Sequence, residues 1–586
     1  MKNKIIGISI LLVLLLFAPW HSIFSCTFIN WDAAGYYQFL PAVFIYHDFN
    51  FNHWANEALL PYPFIEIGGI INYGVSKILI SKYSLGVAIL QMPFFLLSYI
   101  CAYIFNYRLD GFSFPFQLGC YLSGLFYLVA GLRMSYLIAR KYFSKSASFL
   151  SVLLAVFGTN LFAFGVVSNN FSHLYGFFTI AAFILSLHQL QKSQHAHNYI
   201  FASLAFTMAV LVRSTNAIAL IFAFFLLFEK RKLIFRKENL KKILAAVFIS
   251  AIPVLLQISY WKYLTGHCLV LGYFENGEGF DFLHTHLFEG LFSTKKGWLV
   301  HTPLAIIGLL FSFRLYFINR KLFVACISFL ILWCYVIFSW KVWYYDGGMS
   351  ARPMVEVTSI VALFLAAGIE YFYNNRIAAL LFIPLFSFLL YLNMIQTWMI
   401  QQGIYPLVFV AKADYVRSIF GLKDIIEYKS ILKSSHHIDE MNVQNSSLLV
   451  DSLILKDKSC IGLEGLSIYK NIYAEKLKTK NLKNGMWIRI EGSGFYESKN
   501  PLLGNKCFLV FSIAKDGVPY SYQSSEIATS VIDTIPDQHR PAEKFSYDFK
   551  ISEIENENDL LQIYLWNESQ ICYHLTSANV QLIEIK

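Results

Sequence analysis

The sequence predicts a polytopic α-helical membrane protein that carries a small β-sandwich toward its carboxy-terminal end. Hydrophobic residues make up 56% of the 586-residue chain and charged residues 14%, against about 25% charged in soluble domains, and the mean hydropathy is +0.51. Apolar runs of about the twenty residues that a bilayer core demands recur along the chain until Met394. Beyond Ser434 they give way to short alternating segments, which is the pattern of half-buried strands.

The first apolar run, Ile5 to Phe24, follows Lys2 and Lys4, which should hold the amino terminus in the cytoplasm and deliver the next residues to the outer face. Ser25-Cys26 sits where a signal peptide would be cut. Bulky Phe24 occupies a place that favours small residues, so the run reads as a retained anchor. Asp32 then emerges just past the membrane within Trp31-Asp32-Ala33-Ala34-Gly35-Tyr36; its plainest reading is a helix N-cap.

Further spans are expected near 115–139, 147–166, 172–190, 199–228, 242–262, 301–318, 322–340, 354–373 and 377–395. The run 199–228 lies between 191–198 and 229–242, both of which must be cytoplasmic on this reading of loop charge. It reads as a helical hairpin with Arg213-Ser214-Thr215-Asn216 at its tip, which brings the total to about eleven membrane helices. Tyr83 to Phe105 is apolar enough to cross, yet a crossing there would put the basic segment 140–145 outside and the polar segment 168–173 inside. Because basic loops stay inside, this stretch is expected to lie along the outer interface or to re-enter. The domains predicted are 1–400 in the membrane, a linker over 401–440, and a jelly-roll-like sandwich over 441–586 on the outer side. Strands are expected at 487–491, 508–511, 545–549 and 562–566.

The formal charge of +10 is concentrated in one short loop, 229–242. That is the signature of a cytoplasmic loop rather than of nucleic-acid binding, so no nucleic-acid partner is expected. The nine cysteines show no metal-binding spacing and no CxxC pair. On this topology the chemistry-bearing residues sort to the outer loops: Asp32, Asp48, His173, Lys296, Trp343 and Tyr344, with Lys82, Arg213 and Arg352 as further cations at outer ends of segments. Interfacial belts account for aromatic residues such as Trp343 and Tyr344 without any function. A carboxylate facing several cations beside a membrane suits transfer from a lipid phosphate donor to a hydroxyl, with the base taking the proton and the cations holding the phosphate.

Several segments together resemble the GT-C superfamily of membrane glycosyltransferases, which includes the protein O-mannosyltransferases, the lipid A aminoarabinose transferases and the lipopolysaccharide-core galacturonosyltransferases. They are Trp31-Asp32 through Phe51, Ser81 to Gly86, Asn170 to His173, Val212 to Asn216, Gly290 to Trp298 and Gly347 to Pro353. The resemblance implies a polyprenyl-phosphate sugar donor, a glycan, lipid or protein acceptor, and a multi-pass protein of a bacterial inner membrane surrounded by lipid. It further implies Asp32 as general base with inversion at the anomeric carbon, Lys82 on the donor phosphate, and Arg213 and Arg352 near the donor cavity. Relatives often have two adjacent acids where this chain has Asp32-Ala33, and an acid where this chain has His173. No cofactor is therefore expected, and a divalent metal is doubtful, since hard cations want carboxylate oxygens. A lipid-linked glycan ligase or polymerase, or a non-catalytic transporter or flippase, would share the basic cavity without needing Asp32. The tail resembles carbohydrate-binding jelly rolls, and fold analogy alone is thin warrant for binding.

Overall fold

The computed structural model describes residues 16–401 apart from 63–64, 75–77, 276–277 and 346, the single positions 415 and 419, and the strands between 443 and 585 with some of their turns. The chain divides into two compact units, Met1–Val410 and Ala411–Lys586. The anticipated linker, 401–440, falls almost wholly outside the described residues, as does most of the first apolar run. What is described of that run departs from a single helix: a five-residue helix, Trp20–Phe24, begins afresh after Pro19. Proline lacks the N–H a helix interior needs and disfavours helical geometry at the residue before it, here Ala18.

The first unit is helical except for a two-stranded ribbon, β1 (Ile70–Tyr73) and β2 (Ile78–Ser81). Among the described residues seven helices are long and apolar enough to cross a membrane: Gly86–Ile104, Phe114–Ala139, Ser172–Lys192, Lys237–Thr265, Arg320–Phe338, Arg352–Tyr373 and Phe382–Gln401. Three shorter apolar helices, Lys145–Phe157, Ala196–Val212 and Leu304–Ile318, accompany them. The segment Arg352–Tyr373 is 89% buried by protein over its most apolar window and forms the axis of the bundle. Its helix Thr358–Asn374 packs against Leu304–Ile318, Lys145–Phe157 and Phe114–Ala139. Ser135 and Ser359 hydrogen-bond across that packing at 2.9 Å.

The expected hairpin is present. Ala196–Val212 leads into a 3-10 turn at Ser214–Ala219 and back along Leu220–Leu227. The returning arm ends beside the start of the hairpin, since Gln191 Nε2 donates to Leu226 O and Lys230 Nζ donates to Gln191 O at 2.7 Å. Arg213 therefore sits at the tip.

Gly86–Ile104 runs antiparallel to Phe114–Ala139. Leu90 O accepts from Tyr127 OH at 2.9 Å, Phe95 packs on Phe116, and Ser98 abuts Gly119. These contacts all lie between residues 116 and 127, the first half of the longer helix. Phe95 also meets Tyr37 and Phe44 from the loop after the first apolar run, so that loop and this helix share one layer.

Among the described residues the second unit holds eight strands: β3 (Val443–Ile454), β4 (Tyr469–Lys476), β5 (Trp487–Tyr496), β6 (Cys507–Lys515), β7 (Val518–Glu526), β8 (Glu543–Lys550), β9 (Leu560–Asn567) and β10 (Tyr573–Ile585). They form two four-stranded sheets in the orders β3-β10-β5-β8 and β4-β9-β6-β7, with every pairing antiparallel. That order is the jelly roll of two interleaved Greek keys. Alternate residues supply its core, with Ile488 and Ile490 of β5, Leu509, Phe511 and Ile513 of β6, and Leu561, Ile563 and Leu565 of β9 all fully buried.

A Cβ at Gly119 would stand 1.9 Å from Ser98 Oγ and 3.2 Å from Phe94 O. Gly119→Val should therefore force Gly86–Ile104 off its partner and lower stability by about 1–3 kcal/mol, the usual cost of overpacking. Thermal unfolding in detergent checks this; an unchanged melting temperature would mean that the two helices do not pack as described.

Candidate active site

The segment that presents Asp32 is fixed by its neighbours before any ligand is present. Asn30, not Asp32, is the cap of helix Trp31–Tyr37: its Oδ1 accepts from Trp31 N at 2.9 Å and also from Glu66 N at 2.7 Å. Trp31 takes a left-handed conformation, φ +51°, which a non-glycine residue adopts only where its surroundings impose it. Here its N–H donates to Glu66 O and its carbonyl accepts from Gly68 N. Gly35 lies one turn on, and a Cβ there would stand 2.1 Å from Gly68 O and 2.5 Å from the Tyr83 ring. The close approach brings the Tyr83 hydroxyl to Asp32.

Asp32 is held at both oxygens. Tyr83 OH donates to Oδ1 at 2.6 Å, and Arg352 Nη2 lies 2.9 Å from Oδ2. Burial pushes the carboxyl up, but the Arg352 charge, the Tyr83 hydrogen bond and the Lys82 charge outweigh it and hold Asp32 below the usual carboxylate range. Burial and the Asp32 charge push the Tyr83 phenol well above its ordinary value, so it remains a donor.

Arg352 begins a turn whose approach is unusual. Tyr345 and Ser350 have φ of +52° and +60°, and Gly348 has φ +103° with Phe164 against the place of a Cβ. Lys296, only 1% exposed, donates its ammonium to Gly348 O, and Asn160 Nδ2 donates to Ala351 O at 3.0 Å. The Arg352 guanidinium lies over the Phe171 ring, 5.1 Å from its centroid.

Four residues after Arg352, Glu356 is fully buried, with Oε1 3.6 Å from Arg213 Nε and 3.4 Å from His173 Nδ1. Gly176 makes the room, since a Cβ there would stand 2.5 Å from Oε1. Arg213 also reaches the Ser172 hydroxyl at 3.4 Å, and Ser172 donates to Tyr36 OH at 3.0 Å. Tyr36 stacks obliquely on Tyr83, 4.1 Å between centroids. Asp32, Arg352, Arg213, His173 and Glu356 thus form one polar group roofed by tyrosines. Asp32, Arg352 and Arg213 keep 24%, 17% and 17% side-chain exposure, whereas His173 and Glu356 keep 1% and none.

The other sequence candidates fare differently. Lys82 is close enough to act on Asp32, but its ammonium pairs with Glu278 Oε1 at 2.5 Å above the Tyr273 ring. Lys296, expected to hold phosphate, instead secures the loop before Arg352, because its ammonium lies inside the protein on a carbonyl. Asp48 is a local turn-former that accepts from Asn50 N and meets His53, each at 2.7 Å. Trp343 stacks on His286 and touches Tyr344, and neither aromatic contacts the Asp32 group in any described interaction. Glu356 belongs to this polar group and was not among the sequence candidates. Its signal was there: it is the sole acid from 353 to 369, in a run where an unpaired charge is costly.

Among the described residues no cluster of three His, Cys, Asp or Glu is placed to hold a metal. The donor set around Asp32 does not suit a divalent cation either, since both carboxylate oxygens are already held by donors and the nearest charges are positive.

Residues 102–257 match the family model of the dolichyl-phosphate-mannose-protein mannosyltransferases. No curated protein matches the sequence significantly. Among solved structures the chain is similar to the archaeal oligosaccharyltransferase AglB from Archaeoglobus fulgidus, at 13% identity and a TM-score of 0.35 over 68% of this chain and 55% of that one. It is also similar to ArnT from Cupriavidus metallidurans, at 10% and 0.34 over 66% and 67%, and to the arabinosyltransferase EmbB from Mycobacterium smegmatis, at 7% and 0.28 over 79% and 57%. The chain therefore spans about half the length of AglB and of EmbB. With scores this low the architecture stands on the helices themselves. The family match takes in the helices beside the Asp32 group and the Arg213 hairpin.

Proposed function

We propose that this protein transfers a sugar from a polyprenyl-phosphate donor to an acceptor hydroxyl at the outer face of a bacterial inner membrane. The observation that carries the reading is the Asp32 carboxylate, kept ionised and partly exposed between a tyrosine donor and Arg352, with Arg213 beside it. An ionised carboxylate is ready to take a proton, and two partly exposed guanidiniums are suited to a phosphate.

In the reaction the acceptor oxygen attacks the anomeric carbon as its proton passes to Asp32. The bond from that carbon to the lipid phosphate breaks, its electron pair stays on the phosphate oxygen, and Arg352 and Arg213 stabilise the charge that develops there. When donor binds, Arg352 turns from Oδ2 to the phosphate, which frees that oxygen to receive the proton. Tyr83 keeps Oδ1 and so fixes the direction of the carboxylate. A single displacement inverts the anomeric centre. An apolar groove of about 540 Å³, lined by Leu90, Phe126, Tyr127, Phe178 and Met208 among others, adjoins the Tyr83 cluster and suits the isoprenoid tail.

The topology that serves this reaction puts the Asp32 group and the Gly266 to His301 loop outside, with 140–145 and 229–242 inside. Gly86–Ile104 then descends into the outer half of the membrane only. In a variant in which all nine native cysteines are replaced, an impermeant thiol reagent applied from outside should label cysteine placed at Asn106 and at His284 but not at Lys145. Labelling at 145 together with silence at 106 would require Gly86–Ile104 to cross.

Asp32→Asn should reduce turnover of a polyprenyl-phosphate sugar by about 100-fold or more, the usual worth of a positioned base; full activity would remove Asp32 from the mechanism. The depressed Asp32 ionisation fixes the sign of the pH dependence. The rate should stay level from neutrality downward and fall only as the carboxylate protonates, below the ordinary aspartate value of about 3.9. An acid limb centred above about pH 5 would place the base elsewhere. Gly35→Ala should push Tyr83 from Asp32 and slow turnover about tenfold or more with donor KM little changed, as loss of alignment does; a matching rise in KM alone would show that Tyr83 serves binding instead.

A further inference from the structure

The carboxylate that the mechanism leaves unused is the most deeply buried one. Glu356 has no exposure, and neither of its oxygens has a hydrogen-bond donor. Arg213 Nε and His173 Nδ1 face it at 3.6 and 3.4 Å and also lack a hydrogen-bond partner. The groups that bear on Glu356 are Arg213 from the hairpin tip, His173 from the start of helix Ser172–Lys192, and the Tyr345 phenol; Arg352 stands on its own turn, with Asp32 beyond.

With Glu356 ionised, the charges in this group are balanced before donor arrives: Asp32 faces Arg352 and Glu356 faces Arg213, while Lys82 is matched by Glu278. A lipid phosphodiester adds one negative charge to the two arginines. An uncompensated charge in a water-poor interior is strongly unfavourable, so a proton must enter the group. Asp32 is a poor place for it, because protonation there would weaken two good hydrogen bonds and disable the base. Glu356 has no such bonds to lose.

We propose that Glu356 is a charge-balancing and positioning residue of the donor site: the lipid phosphodiester binds to the form in which Glu356 carries a proton, which leaves Arg213 free to serve the phosphate. The proposal rests on the reading of Arg213 and Arg352 as the cations of that site. The proton comes from solvent and joins a Glu356 oxygen, and it returns to solvent when the phosphate product leaves.

The test is calorimetric titration of the full-length protein with the methyl diester of a polyprenyl phosphate, which has no second phosphate proton to lose. Affinity should weaken as pH rises, approaching tenfold per unit at the alkaline end of a series from about pH 6 to about 9. Buffers of different ionisation enthalpy should report about one proton taken up per ligand there, by the same linkage. Glu356→Gln should bind the diester with no pH dependence and no uptake. Binding to the native protein that is independent of pH and takes up no proton overturns the proposal, and that measurement stands even if Glu356→Gln does not fold. Uptake that persists in Glu356→Gln and vanishes in His173→Gln overturns it in favour of the imidazole. Absence of any binding, in the native protein and Arg352→Ala alike, instead removes the donor-site reading and this proposal with it.

Discussion

Opposite charges held together inside a helical bundle are the constraint on which the rest depends. Asp32 with Arg352, and Glu356 with Arg213, are two ion pairs in an environment where one unmatched member would be costly. Each pair demands close packing that only particular residues permit. Gly35 lets Tyr83 reach Asp32, Gly176 clears the space that Glu356 occupies, and the left-handed turn at Gly348, secured by Lys296, aims Arg352. The two pairs also differ in access. The Asp32 pair is partly open, whereas the Glu356 carboxylate is sealed.

Much of the architecture was legible because membrane burial writes itself into composition. Apolar runs of bilayer length located most of the helices, and the charge of the loops on both sides of 199–228 announced a hairpin with Arg213 at its tip. The four strands read from alternation lie within β5, β6, β8 and β9. The break at Pro19 was equally present in the letters, but hydropathy averages over it. Gly86–Ile104 is long and apolar enough to cross a membrane, whereas loop charge argued for an interfacial or re-entrant course.

The site was legible in part. Asp32, Arg213, Arg352 and His173 come together as polar residues at the outer ends of segments should. Pairing was not legible, because it depends on distances between segments far apart in the chain. Lys82 looks free in the sequence and meets Glu278, 196 positions away; Lys296 looks like a phosphate ligand and meets Gly348. Asp48, Trp343 and Tyr344 shared only a side of the membrane with the others, which is weaker than a shared contact. Glu356 was obscured by its setting in an otherwise hydrophobic run, where its rarity was the clue.

The hairpin that carries Arg213 has a mechanical consequence. Its base is fastened by Lys230 to the carbonyl of Gln191, and its tip stands 17 helical residues away, a reach of about 25 Å at 1.5 Å per residue. The basic loop that follows the hairpin therefore acts as the footing of a strut whose far end sets the position of the Arg213 guanidinium. One turn more or less in that strut would move Arg213 by about 5.4 Å, farther than any of the contacts that hold it.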